Sequence, residues 1–149
     1  MSKRYLIRVS IFIVVGILLQ IFGIASGATK MFTTQQIGWQ TFPLKPDRTL
    51  EYKTVTGKDG LPYSLKLQVF LPEGWQVENK RPAAVFFHGG GWAGGGPDHY
   101  YPQSRYIALR GMVAISVEYR TINRFDTSPR ECVKDGKSAI RWIKVHAAK

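Results

Sequence analysis

From Pro62 to Leu71 the chain alternates, with Tyr63, Leu65, Leu67, Val69 and Leu71 spaced by Ser64, Lys66 and Gln68. A period of two sends the apolar set to one face of an extended chain, so the stretch predicts a half-buried strand. Residues Leu50 to Thr56, joined to it by the turn-rich Gly57-Lys58-Asp59-Gly60, make it an antiparallel hairpin. The pattern then changes. Ala83-Ala84-Val85-Phe86-Phe87 is apolar throughout, as a strand buried on both faces of a parallel sheet should be. Met112 to Val117 reads as a second such strand. Between them Pro102 to Arg110 predicts a helix, with Pro102 suited to its first turn and Gly111 to its C-terminal cap. Strand, helix, strand in this order is a right-handed crossover, which makes the two strands parallel.

The last periodic segment opens on Ser128-Pro129-Arg130-Glu131. A serine N-cap, proline at the first helical position and glutamate at the third predict reciprocal capping. Cys132, Val133, Gly136, Ala139, Ile140 and Ile143 recur at three-to-four spacing and form one face to lie on the sheet, while Lys134, Lys137, Arg141 and Lys144 point largely elsewhere. Four strands and two helices are thus expected, with the sheet edge that awaits a further strand left unpaired and the stability marginal.

Ahead of the fold, Lys3, Arg4 and Arg8 precede an apolar run from Val9 to Ala28 that ends in the small residues Ala25, Ser26, Gly27 and Ala28. This predicts residues 1–28 as an export signal cut after Ala28. The run approaches the roughly 20 residues that span a bilayer, so a retained membrane anchor is the alternative. Either way the remainder is expected to be exported, periplasmic or secreted. Residues 29–49, with Pro43 and Pro46 and no periodicity, read as a linker, and residues 50–149 as the folded part.

A hydrophobic content of 44% with 13% aromatics excludes a disordered chain. Twenty-one basic against ten acidic residues give +11, of which +8 remains outside the N-terminal segment. That excess raises nucleic acid and anionic membranes as partners. Its scatter along the chain predicts a solvated surface instead, with no nucleic-acid partner and membrane contact only through an uncleaved N-terminal segment. The single cysteine, Cys132, excludes an intrachain disulfide and falls on an apolar helix face as a small buried hydrophobe.

The candidate chemistry lies in the glycine-rich loop His88 to Gly96. Gly89-Gly90-Gly91-Trp92-Ala93-Gly94 satisfies G-x-G-x-x-G after a strand, and Glu118 stands where a ribose-binding acid would. Against a dinucleotide site, Gly95, Gly96 and Pro97 delay the helix and Trp92 fills the loop. No cofactor is expected. Gly136-Lys137-Ser138 is no phosphate loop, because Glu131 stands where its first glycine belongs. His99 and His146, with Asp98 or Asp135, fit no ligand spacing, so no metal site is expected.

Val85-Phe86-Phe87-His88-Gly89-Gly90-Gly91-Trp92 resembles the oxyanion loop of the esterase/lipase branch of the α/β-hydrolases, which includes acetyl-esterase-like and hormone-sensitive-lipase-like enzymes. Ser116-Val117-Glu118-Tyr119-Arg120 resembles that family's Tyr-Arg pair after the next strand. The helix ending Ala139-Ile140-Arg141-Trp142 sits like the one before its nucleophile strand. The resemblance covers Leu50 to Lys149 and implies the N-terminal part of an α/β fold, an incomplete α/β-hydrolase three-layer sandwich. It implies a carboxylic ester hydrolase acting on a small-molecule or acylated-carbohydrate ester. By the same resemblance the amides of Gly89 and Gly90 are the oxyanion-hole donors, Gly91 allows the turn, and His88 braces the loop. Trp92 either walls the acyl pocket or packs under the loop. Ester hydrolysis builds negative charge on the carbonyl oxygen, and preorganised amides aimed at it stabilise the transition state. No serine stands in a G-x-S-x-G elbow: Ser138 follows Gly136 correctly but meets Ile140 where the second glycine belongs. Serine, acid and histidine are expected to follow Lys149, which leaves the 149 residues inactive. The alternative is a degenerate hydrolase module that binds without catalysis.

Overall fold

The computed structural model describes residues 11–15 and 44–147. Strands β1 (Ile11–Val15), β2 (Arg48–Thr56), β3 (Pro62–Phe70), β4 (Ala83–Phe87) and β5 (Val113–Val117) form one sheet in the order β1-β4-β5-β3-β2. A 3-10 turn at Pro97–Tyr100 runs into helix α1 (Tyr101–Leu109), and α2 (Ile122–Phe125) and α3 (Pro129–His146) follow β5. The hairpin β2–β3 is antiparallel, with an irregularity between Glu51 and Lys53. The crossover pair β4–β5 is parallel, in register from Ala83 opposite Val113 to Phe87 opposite Val117.

The alternation in β3 does what its period requires. Leu65, Leu67 and Val69 join Val85, Ile115 and Val117 on one face, against Ala139 and Ile143 of α3. Phe70 turns to the other face, where Ala84, Phe86 and Ala114 meet Ala108 of α1. Helix, sheet and helix therefore form the three layers expected of this architecture. Leu65, Leu67 and Phe70 are completely buried, each contributing about 1.5–3 kcal/mol of transfer free energy.

Two expectations need correction. The edge of β4 expected to be unpaired carries β1, parallel along its whole length from Ile11 opposite Ala83 to Val15 opposite Phe87. Five residues of the segment read as an export signal thus form a strand; the rest of residues 1–28, and the linker up to residue 43, lie outside the described residues. The helix expected from about Pro102 forms as α1, which begins at Tyr101 behind the 3-10 turn. Ser128 makes no side-chain cap on α3, and the Glu131 carboxylate binds Arg120 and Lys134 instead of reaching back. The short helix α2 had no signal, since four residues are too few to show a period.

The charge is also less scattered than it reads along the chain. Residues 44–147 hold sixteen basic and ten acidic residues, and five of the sixteen lie on α3. No helix among the described residues is long and apolar enough to cross a membrane.

Candidate active site

The glycine loop leaves the C-terminal end of β4, the end at which open α/β sheets place their ligands. His88, the first residue of the loop, is buried. Its Nδ1 lies 2.9 Å from the Gly89 carbonyl oxygen, and its ring stacks on Tyr119, with centroids 4.1 Å apart and planes 10° apart. The Tyr119 hydroxyl donates to the His88 carbonyl at 2.5 Å. Burial lowers the His88 pKa below 6.5, so the ring stays neutral. Burial pushes the Tyr119 phenol up to about 12, so it remains a donor across the physiological range. His88 Nε2 is buried with no hydrogen-bond partner.

Beyond His88 the backbone folds tightly on itself. The amides of Ala93 and Gly94 donate to the Gly90 carbonyl at 3.0 and 3.4 Å. Among the described residues no backbone acceptor takes a bond from the amides of Gly89, Gly90 or Gly91. Gly90 has φ +117, and a Cβ there would lie 2.3 Å from the Gly94 carbonyl oxygen. Only glycine fits. A Cβ on Gly89 would meet nothing within 4 Å, so open space lies beside this residue. Trp92 holds a left-handed φ of +61, a conformation costing a non-glycine residue about 1–2 kcal/mol. Its carbonyl accepts the Ile122 amide at 2.8 Å and that of Ala93 accepts Asn123 at 3.0 Å, which ties the loop to α2. Trp92 itself is 48% exposed.

Behind the loop stands an ionic joint that sequence reading missed. Asp135, fully buried on α3, accepts Arg120 Nε at 2.7 Å, Arg120 Nη2 at 2.9 Å and the Arg120 amide at 3.2 Å. Lys53 of β2 adds a fourth bond at 2.6 Å. Burial alone would raise the carboxyl pKa, but the bonds from Arg120 and Lys53 outweigh it and hold the pKa below its ordinary value. The signal was available: Asp135 sits on the helix face that also buries Cys132, Ala139 and Ile143, and a buried acid requires a cation. Cys132 is buried as expected, and its burial raises the thiol pKa.

The carboxylate of Glu118 is equally committed. It accepts the Tyr63 hydroxyl at 2.8 Å, Arg124 at 2.6 Å and the Lys66 amide at 3.2 Å. It is buried and unavailable to a ribose, which removes the acid that the dinucleotide reading needed. His99 and His146 are both exposed, and His146 stacks on Trp142. No cluster among the described residues could hold a metal ion.

A three-layer α/β architecture with a glycine loop at the strand ends defines the class, and comparison with known proteins narrows it. The BD-FAE family model matches residues 67–149. Carboxylesterase NlhH of Mycobacterium tuberculosis is 33% identical over 106 residues, which cover 70% of this chain and 31% of that protein. A 2-hydroxyisoflavanone dehydratase of Glycine max is 27% identical over 109 residues, 70% of this chain and 33% of the relative. The propionate-bound Est2 esterase of Thermogutta terrifontis superposes with a TM-score of 0.64 at 42% identity, over 71% of this chain and 37% of that one. The chain belongs to the BD-FAE family of α/β-hydrolase esterases. It spans about a third of the length of these relatives.

Proposed function

We propose that residues 44–147 are the oxyanion-hole part of a carboxylic ester hydrolase. The observation that carries this reading is the set of amides at Gly89, Gly90 and Gly91, without described acceptors, beside open space at Gly89. Gly89 and Gly90 donate to the developing oxyanion, and Gly91 and Trp92 turn the chain away from it. The neutral, stacked His88 is a brace, held by Tyr119, and takes no proton. Half-exposed Trp92 walls the acyl side of the site. The substrate is a small-molecule or acylated-carbohydrate ester, and the protein acts outside the cytoplasm, with residues 1–28 as the export segment, whose removal takes β1 from the edge of β4. N-terminal sequencing of exported protein checks the last point: a start at Thr29 is expected, and an intact Met1 on secreted soluble protein contradicts it.

Because no serine among the 149 residues stands in a nucleophile elbow, residues 1–149 alone hydrolyse no p-nitrophenyl ester above a denatured control. The chemistry itself is tested by grafting residues 44–147 in place of the matching stretch of the Thermogutta esterase. The graft retains ester hydrolysis, and Gly90→Ala within it, which keeps the amide but sets a methyl against the Gly94 carbonyl and so displaces the loop, lowers kcat by about tenfold or more, a misaligned donor losing part of what a deleted one would. A graft whose turnover is indifferent to Gly90→Ala overturns the assignment. One relative carries a dehydratase name, so the same graft is also offered a β-hydroxy ketone; elimination without ester cleavage transfers the loop to that chemistry.

A further inference from the structure

The outward side of α3 carries a charge pattern that ester hydrolysis does not use. Arg130, Lys134, Lys137, Arg141 and Lys144 are all exposed. Their spacing of four, three, four and three residues confines them to an arc of about 80° around the helix and a row about 21 Å long. The row lies opposite the buried residues Cys132, Asp135, Ala139 and Ile143. Without these five cations, residues 44–147 hold eleven basic and ten acidic residues. Nearly all of the excess charge of the described fold therefore stands on one ridge.

Helix stability favours only part of this arrangement, Lys144 in the last turn. Neighbours three or four positions apart along the row are all of like charge, which destabilises a helix, whereas alternating signs would support it. Arg130 stands in the first turn, where the helix dipole disfavours a cation. Only Lys134 has an acidic partner among the described residues, Glu131 at 2.6 Å, and Arg141 reaches no further than Ser138. A cationic row without interleaved acids is complementary to an anion of similar length.

We propose that this ridge binds a linear polycarboxylate, an acidic polysaccharide lying along α3. Its flanks argue for that partner. A helix that lies in a lipid surface presents large apolar residues beside its cations, whereas here the exposed flanks hold only Val133 and Val145. A single-stranded nucleic acid asks for several exposed aromatic rings along its path on which bases stack, and the two aromatic rings of α3, Trp142 and His146, stack on each other at its C-terminal end. A flexible polymer with a carboxylate on successive sugars requires neither. The helix begins at the same end of the sheet as the glycine loop, so a bound polymer runs towards that loop. The binding itself does not depend on the loop being catalytic.

The test uses residues 1–149 and polygalacturonate, with binding measured at low and moderate salt. Wild-type protein binds, and its affinity falls about tenfold or more as salt is raised, as release of condensed counterions requires. A ridge variant, Arg130→Gln with Lys137→Gln, Arg141→Gln and Lys144→Gln, loses at least about tenfold in affinity at low salt. A second variant, Lys45→Gln with Arg48→Gln, Lys58→Gln and Arg110→Gln, removes the same charge at exposed positions elsewhere and retains most of the binding. Equal losses in the two variants reduce the effect to net charge and overturn the ridge. Ridge-dependent binding to anionic phosphatidylglycerol vesicles or to polyuridylate, stronger than to polygalacturonate, overturns the polysaccharide as the partner.

Discussion

The glycine loop and the joint behind it use polar groups in opposite ways. At the joint every strong group is engaged: the two oxygens of Asp135 take four hydrogen bonds from Arg120 and Lys53, and Glu118 takes three more. In the loop, three successive amides have no described acceptor, and three successive residues, Gly90, Gly91 and Trp92, hold positive φ. Satisfied polar groups fix a structure, and unsatisfied ones held rigidly are what a reacting oxygen can use. The joint is therefore expected to govern stability, and the loop to govern what the protein binds.

The largest expected effect falls on the joint. Asp135→Ala leaves Arg120 and Lys53 facing each other without their anion. It costs about 2–4 kcal/mol in urea unfolding, at or below the range for one partner of a buried pair, because both cations keep some exposure. A loss under about 0.5 kcal/mol, typical of an exposed surface site, breaks the comparison.

Next is Gly90→Ala, which sets a methyl against the Gly94 carbonyl and costs about 1–3 kcal/mol of strain. Its neighbour sharpens the contrast. Gly89→Ala meets no atom and is expected to shift stability by no more than about 0.5 kcal/mol, with weaker binding at the loop its visible consequence. Equal stability losses for the two alanines contradict the loop geometry. Tyr119→Phe removes the single hydroxyl bond to the His88 carbonyl and costs about 0.5–1.5 kcal/mol in the same measurement.

Acidification separates the regions by pH. His88 has a folded pKa below 6.5, so its contribution is complete above 6.5 and fades as pH falls towards the folded value, because only the unfolded chain takes the proton. Asp135 is depressed below 3.8, so its contribution is present above 3.8 and is lost only as pH falls through the lower folded value. Urea midpoints are thus expected to decline first as pH falls below 6.5, and His88→Gln to flatten that decline while leaving the steeper acid limb. An unchanged slope in the variant assigns the decline elsewhere.

Much of the fold was legible because it is written in local periods. The alternation of Tyr63 to Leu71 and the continuous apolar run of Ala83 to Phe87 describe their own burial, and both strands form where expected. The glycine run was legible because few residues other than glycine leave backbone amides so open. What escaped depends on partners far apart in sequence. Tyr119 and His88 are separated by 31 residues, and Lys53 and Asp135 by 82; no local pattern announces such pairs. The reciprocal bond from Glu131 to the start of α3 failed for the same reason, since Glu131 is claimed by Arg120 from outside the helix. The α3 ridge was visible residue by residue yet read as scatter, because its order exists only once the helix is wound. The apolar N-terminal run fits export and also a strand beside β4, and apolarity alone does not separate the two uses.

The amides of the loop can be followed one at a time. In an NMR titration of residues 1–149 with propionate, whose carboxylate resembles a bound oxyanion, saturable amide shifts are expected at Gly89 and Gly90. Ala93 and Gly94, already bonded to the Gly90 carbonyl, stay in place. Shifts at Ala93 and Gly94 with Gly89 and Gly90 silent contradict the oxyanion assignment.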